Sequence, residues 1–323
     1  MLQPSIPRGS LFFAPMESVT DSLYRETVVE TCPQWDVLAC DFLRVPAAGH
    51  YPRKHLRAHM GESFLNDPYW LNRTMYQILS SEKSFTADIA RDLQELGIPW
   101  VDMNIGCPSK TVCKSGGGSF LLTDLPLMSR IVRDVRQNFK GRFTCKVRVG
   151  FSSGHNFADT IRALNDEGVD MITVHGRTRE QMYKEPANWK WIAEAVKLSQ
   201  VPIVGNGDVW CVEDAHRLLD ETGCHAVMVA RGAMKTPWFA QLYKQGLPDT
   251  AESRLEMSRL FIRKYADKMI AAGVTENGLV KQLKGVTRFM LDDLPGGKEF
   301  RRDILLSQTS AAIFYHLENR KIT

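Results

Sequence analysis

Eight short runs of apolar residues, rich in β-branched and aromatic side chains, recur along the chain, and no other feature restricts its fold as much. They cover residues 11–16, 37–42, 75–79, 100–105, 143–149, 171–175, 201–206 and 226–231. Most are continuous rather than alternating, the pattern of strands buried on both faces of a parallel sheet. Segments with helical spacing fill most of the gaps, at 86–96, 125–139, 157–167, 189–198 and 212–221, with Asp124 and Asn188 placed to cap two of them. Eight strands with helices between them predict an α/β fold of the (β/α)8 or TIM-barrel type over residues 11–245, within a domain spanning residues 1–245. A doubly wound open sheet would place a GxGxxG fingerprint after the first strand. The sequence there is APMESVTD, which lacks it.

Beyond Gly246-Leu247-Pro248-Asp249 the strand pattern stops. Residues 251–323 read as three or four helices with a turn at Pro295-Gly296-Gly297, a small all-helical C-terminal domain over 246–323. Charge singles out the same segment. The chain's net charge is +4, and from Ala251 onward thirteen Lys/Arg face nine Asp/Glu, so this segment carries the whole excess and points to a polyanionic partner. No apolar run approaches the ~18–20 residues of a membrane span, and the apolar patch near the start is too short for a secretion signal. The seven cysteines are odd in number, dispersed and without a CxxC pair. That is neither a disulfide framework nor a zinc site, and it suits a reducing cytosol.

Barrel active sites lie at the C-terminal ends of the strands. Here those ends carry Pro15-Met16-Glu17; Asp41 and Arg44; Gln77; Asn104 before Gly106-Cys107-Pro108; Lys146 and Arg148; His175 and Arg177; Asn206-Gly207-Asp208; and Arg231-Gly232. Each polar group in such a place costs desolvation unless it meets a partner, so this convergence marks an active site. Gly207 and Gly232 are ordinary turn glycines when taken singly. As a pair after the seventh and eighth strands they favour a bound phosphate. Cys107 is expected on a loop over the mouth, unlike the core cysteines Cys40 and Cys145, with Ser115-Gly116-Gly117-Gly118 behind it as a flexible hinge. Cys113 reads as incidental. Lys146 needs a fixed anion or an electron-rich ring. His175 alone reads as a buried core histidine. No second His or Cys stands at ligand spacing, so no metal is expected.

Taken together, APMESVTD, MNIGCPSKTV with SGGG, KVRVG, VHGRTREQMY, NGD and ARGAMKTPW resemble the tRNA-dihydrouridine synthase family, whose members pair an FMN-binding barrel with a helical tRNA-binding domain. GCPSKTV with SGGG and Phe42-Leu43-Arg44-Val45 resemble the branch acting at position 16 of the D-loop. The resemblance implies that Pro15, Met16, Glu17 and Gln77 hold the isoalloxazine. Lys146 would stand beside its pyrimidine end and His175 against its phosphate side, with the phosphate on Asn206, Gly207, Asp208, Ala230 and Arg231. It further implies Asn104, Arg148 and Tyr183 at the target uracil, Cys107 as general acid, and Arg44, Lys281 and Arg288 at the RNA backbone. NADPH would be the reductant, tRNA the partner, the cytoplasm the compartment and a monomer the default state. Ser18 stands where glycine is common in this family, of little consequence unless that backbone needs positive φ. Ala230 likewise replaces a common glycine, and Cys113-Lys114 replaces uncharged residues without a thiol. Two rival readings stand beside this one: an FMN barrel reducing a free pyrimidine, and a non-catalytic tRNA-binding protein. The positive stretch 44–57 and the basic tail speak against the first.

Overall fold

The computed structural model describes residues 5–320. By contacts the chain divides into two compact units. The first takes in the chain up to Ser22, Asp36–Val209 and Glu213–Ala230, and the second takes in Leu23–Trp35, Trp210–Val212 and the chain from Arg231 onward.

The first unit is the barrel. Among the described residues nine strands occur in chain order: β1 (Ser10–Phe13), β2 (Leu38–Ala39), β3 (Leu43–Arg44), β4 (Thr74–Leu79), β5 (Trp100–Ile105), β6 (Arg142–Arg148), β7 (Met171–His175), β8 (Ile203–Asn206) and β9 (Ala226–Val229). All their pairings are parallel, in the order β1-β9-β8-β7-β6-β5-β4-β2, with β3 a two-residue addition on β4. The ring closes where Phe12 bridges Val37 and the Phe13 N–H donates to the Val37 carbonyl at 2.8 Å. The eight predicted runs are therefore the eight barrel strands. The five predicted helices appear as Thr86–Glu95, Leu125–Asn138, Phe157–Asp166, Lys190–Leu198 and Val212–Thr222, each within two residues of its expected ends. Asp124 caps as expected, accepting from the Leu127 N–H at 3.0 Å, whereas the helix after Asn188 starts one residue late, with Asn188 accepting from the Lys190 N–H.

Inside the ring, Phe12, Val37, Ala39, Met75, Trp100, Met171, Val204, Ala226 and Met228 form a closed core, with Phe12 edge-on to Trp100 at 6.0 Å. Rings as large as those of Phe12 and Trp100 fill much of the width, so small residues such as Ala39 and Ala226 can face them. The interior is solid, and chemistry is confined to the rim.

The second unit is helical. Among the described residues beyond 250, four helices occur, Ala251–Ala271, Glu276–Met290, Gly297–Leu306 and Ser310–Asn319, the upper number of the sequence expectation. Helix Ser22–Thr31 contributes most of its length to this unit: Tyr24 packs edge-on to Phe261 and Tyr265, and Glu30 pairs with Lys264 and Lys268. The longest continuous stretch of this unit starts at Arg231. No helix among the described residues is long and apolar enough to cross a membrane.

Candidate active site at the barrel mouth

The turn after β1 is the first wall of the mouth. The Met16 N–H donates to Thr20 Oγ1 at 3.0 Å, and the N–H groups of Val19 and Thr20 return to the Met16 carbonyl. This tight loop sets Ser18 at φ 64, the left-handed region that a side chain disfavours. The condition under which serine matters is thus met. Ser18→Gly should raise stability by about 1 kcal/mol, read as a shift in the urea midpoint at unchanged slope. Pro15 and Met16 are half-buried, whereas Glu17 is exposed and ion-pairs with Arg44 at 3.1 Å. Arg44 comes from β3, the small strand that the sequence pattern did not separate from β2.

The second wall is a buried relay of hydrogen bonds on β4, β5 and β6. Asn104 Oδ1 accepts from the N–H groups of Gly106 and Cys107 at 3.0 and 2.8 Å, and its amide donates to Gln77 Oε1 at 2.8 Å. The Gln77 amide in turn donates to Asp102 Oδ2 at 2.7 Å, and Thr144 donates to Asp102 Oδ1 at 2.5 Å. Burial pushes the Asp102 carboxyl up to about 6, against the pull of the Thr144 and Gln77 hydrogen bonds and the Lys146 charge. Gln77 and Asn104, expected at flavin and uracil, are both held by this relay.

Cys107 stands half-buried just past β5. Its pKa is raised, first by burial and also by the nearby Glu17 charge. The glycine run behind it packs closely. Gly118 sits at φ 58, where a Cβ would come within 3.0 Å of the Cys107 carbonyl and Cβ. Cys113 is buried against the same carbonyl, its thiol 3.8 Å away, and Ser119 Oγ donates to that carbonyl at 2.9 Å. Cys113 therefore packs beneath Cys107, a neighbour that sequence spacing alone left as incidental.

Lys146, half-buried on β6, has no carboxylate within 4.0 Å among the described residues. Burial pushes its pKa down to about 8, with Arg148 adding repulsion and Asp102 opposing both. A sheltered ammonium of this kind suits an electron-rich or anionic group brought in from outside. Arg148, buried to 1 % exposure, is spent on the backbone: Nε donates to the Gly106 carbonyl at 3.0 Å, and Nη1 to those of Thr178 and Met182 at 2.8 and 3.2 Å. Its guanidinium also lies 5.3 Å from the ring of Tyr183, which is half exposed.

The third wall follows β7 and β8. His175 is buried, its ring 6.2 Å from that of Tyr183 and its Nε2 3.2 Å from Arg177 Nη1. Arg177, which had no assigned role, ion-pairs with Asp208, and Asp208 also accepts from the Ala187 N–H at 2.7 Å. The carboxylate of Asp208 is thus neutralised, which leaves backbone rather than carboxylate to meet an anion. Gly207 has φ 122, where a Cβ would press on Ala187 and His175 at under 3.0 Å. Asn206 donates to the Met228 carbonyl at 2.8 Å, tying the end of β8 to β9, which Ala230 follows.

The remaining expected residues belong to the second unit. Arg231 opens a short helix, its guanidinium 4.6 Å from the centre of the Trp210 ring. Lys281 and Arg288 are exposed on helix Glu276–Met290, whose buried positions include Leu279, Leu283, Val286 and Met290. No cluster of three or more metal-binding side chains occurs among the described residues.

A parallel barrel whose rim gathers a sheltered ammonium, a protonated thiol and a glycine-lined turn defines an enzyme of the (β/α)8 class. The family model described as dihydrouridine synthase matches residues 12–317, and the chain belongs to that family. It is 35 % identical to a tRNA-dihydrouridine(16) synthase of Cupriavidus necator, covering 84 % of this chain and 85 % of that one. With the protein of the same name from Ralstonia nicotianae it shares 32 % identity over 96 % of this chain and 95 % of the other. Among solved structures it is similar in fold to histamine dehydrogenase from Rhizobium sp. 4-9, with a TM-score of 0.60 at 11 % identity, covering 100 % of this chain and 64 % of that one.

Proposed function

We propose that this protein reduces the C5–C6 double bond of a uridine in the D-loop of tRNA, at position 16, using bound FMN and NADPH as reductant. The observation that carries the reading is Cys107: a half-buried thiol, kept protonated by burial and seated through its own N–H on Asn104. FMN bound at this mouth would supply the hydride for uracil C6.

The chain's own residues do the rest. Cys107 Sγ gives its proton to C5 from the opposite face of the base, and the thiolate regains a proton from solvent. Lys146 would hold positive charge beside the ring's pyrimidine end. Backbone at Pro15, Met16 and Glu17 bounds the ring, and His175 closes its phosphate side. The backbone of Asn206, Gly207 and Asp208, with Ala230, receives the phosphate; the glycine is what lets an anion come close to main-chain N–H groups. Asn104 and Tyr183 face the base, which must be turned out of its stack to reach them. Arg44 on the barrel, and Lys281 and Arg288 on the helical unit, meet RNA phosphates, in the cytoplasm where tRNA is found. The relatives' names, which carry position 16, support the choice of uridine.

Purified protein given FMN should turn yellow, bleach with NADPH and regain its colour when unmodified tRNA is added. Mapping dihydrouridine in the product should show it at position 16. Failure to take up FMN would overturn the proposal, and recolouring by free uracil rather than tRNA would favour the free-pyrimidine reading. Binding of tRNA should weaken steeply between 50 and 200 mM salt, as expected for roughly 6–10 phosphate contacts.

A further inference from the structure

The backbone N–H groups of Gly106 and Cys107 can only donate, so the Asn104 side chain must turn its oxygen to them. Its amide nitrogen then faces Gln77, which must present oxygen, and the Gln77 nitrogen is left facing β5. Only an acceptor can end such a chain. At that point stands Asp102, whose second oxygen accepts from Thr144, itself committed because its Oγ1 receives the Trp100 indole N–H at 3.1 Å. Every member is buried; Asp102 and Gln77 have no exposure at all. An ionised carboxylate accepts on both oxygens and has nothing to donate, so it fixes the direction of both amides at once.

We propose that Asp102 is a positioning residue of the reduction, acting through Gln77 and Asn104 to hold the Gly106–Cys107 backbone so that the thiol faces the substrate. The proposal rests on the reading of Cys107 as the proton donor. Asparagine at position 102 has nearly the same shape but offers one acceptor and one donor. It can keep the native direction, at the cost of the Thr144 hydroxyl's acceptor, or reverse both side-chain amides. Reversal points the Asn104 NH2 at two N–H groups and releases the loop. A thiol displaced by a fraction of an ångström to one ångström loses much of its rate.

The test compares Asp102→Asn, Asp102→Leu and Cys107→Ala in FMN-loaded protein carrying Cys211→Ser, which removes the one exposed cysteine. Three quantities are measured: bleaching by NADPH, single-turnover recolouring by tRNA, and the rate at which iodoacetamide labels Cys107. For Asp102→Asn the expected result is unchanged bleaching, recolouring slowed about 10- to 100-fold with little change in the tRNA concentration for half-maximal rate, and altered labelling of Cys107. Asp102→Leu should lose at least as much. A purely structural role for Asp102 would lower thermal stability without this split between bleaching and recolouring. Wild-type recolouring and labelling in Asp102→Asn, while Cys107→Ala is slow, would overturn the positioning role alone. Wild-type recolouring in Cys107→Ala would overturn the proton-donor reading, and with it the proposal.

Discussion

Cys107→Ala is expected to bind FMN and bleach with NADPH as the wild type does, and to recolour with tRNA at least ~100-fold more slowly, the usual scale of a general acid's contribution. The two half-reactions separate because the thiol takes part only in the second. Fold and flavin environment should survive, since the side chain removed is small and half-buried, while the contacts that fix the loop run through the Cys107 backbone rather than its sulfur. Cys107→Ser should rescue little, because an alcohol is a far weaker acid than a thiol. The pH profile gives a second check. Burial, with Glu17, holds the Cys107 thiol above its ordinary range, so recolouring should stay level through neutral pH and fall only beyond that range as the donor's proton is lost. A fall beginning below neutrality would assign the proton to another group. Cys113, buried under the same carbonyl, cannot substitute from where it lies; Cys113→Ser should keep the acid in place and alter only packing.

The barrel was legible because a strand covered on both faces has to be apolar at every position. The eight runs followed from that requirement, and the five helices between them from their helical spacing. What escaped was whatever depends on partners far away in sequence. Helix Ser22–Thr31 belongs to the helical unit because Tyr24 and Glu30 meet Phe261, Tyr265, Lys264 and Lys268, pairings no local window contains. Two-residue β3 carries too little pattern to be seen, yet it brings Arg44 to Glu17. At the barrel mouth, the hydrogen-bond partners of the strand-end residues were not readable from the strand ends themselves. Asp102 points inward in the middle of an apolar run, where its one-letter neighbours give no sign that Thr144 and Gln77 will face it. A charged residue within a barrel strand was the available signal. Arg177 was visible beside His175, but its pairing with Asp208 depends on two loops folding together.

Arg148 yields the largest stability effect expected here. The resemblance places it at the target uracil, where loss of one contact would slow turnover and leave the fold alone. In the structure its guanidinium joins three backbone carbonyls, those of Gly106, Thr178 and Met182, and so ties the Cys107 loop to the loop that carries Tyr183. Met182 itself is held at φ 51, a conformation that needs such an anchor. Arg148→Met keeps most of the apolar stem but leaves the buried Gly106 and Thr178 carbonyls, and the half-buried one of Met182, without this donor, at a cost of about 3–5 kcal/mol. Lysine should recover only part of this, since one ammonium cannot span the fork that the planar guanidinium fills. Urea denaturation of the three proteins measures the loss, and recolouring by tRNA measures its consequence. A variant with wild-type stability and slow turnover would return Arg148 to the uracil. Loss of stability together with altered labelling of Cys107 identifies it as the clasp between the acid's loop and the loop of Tyr183.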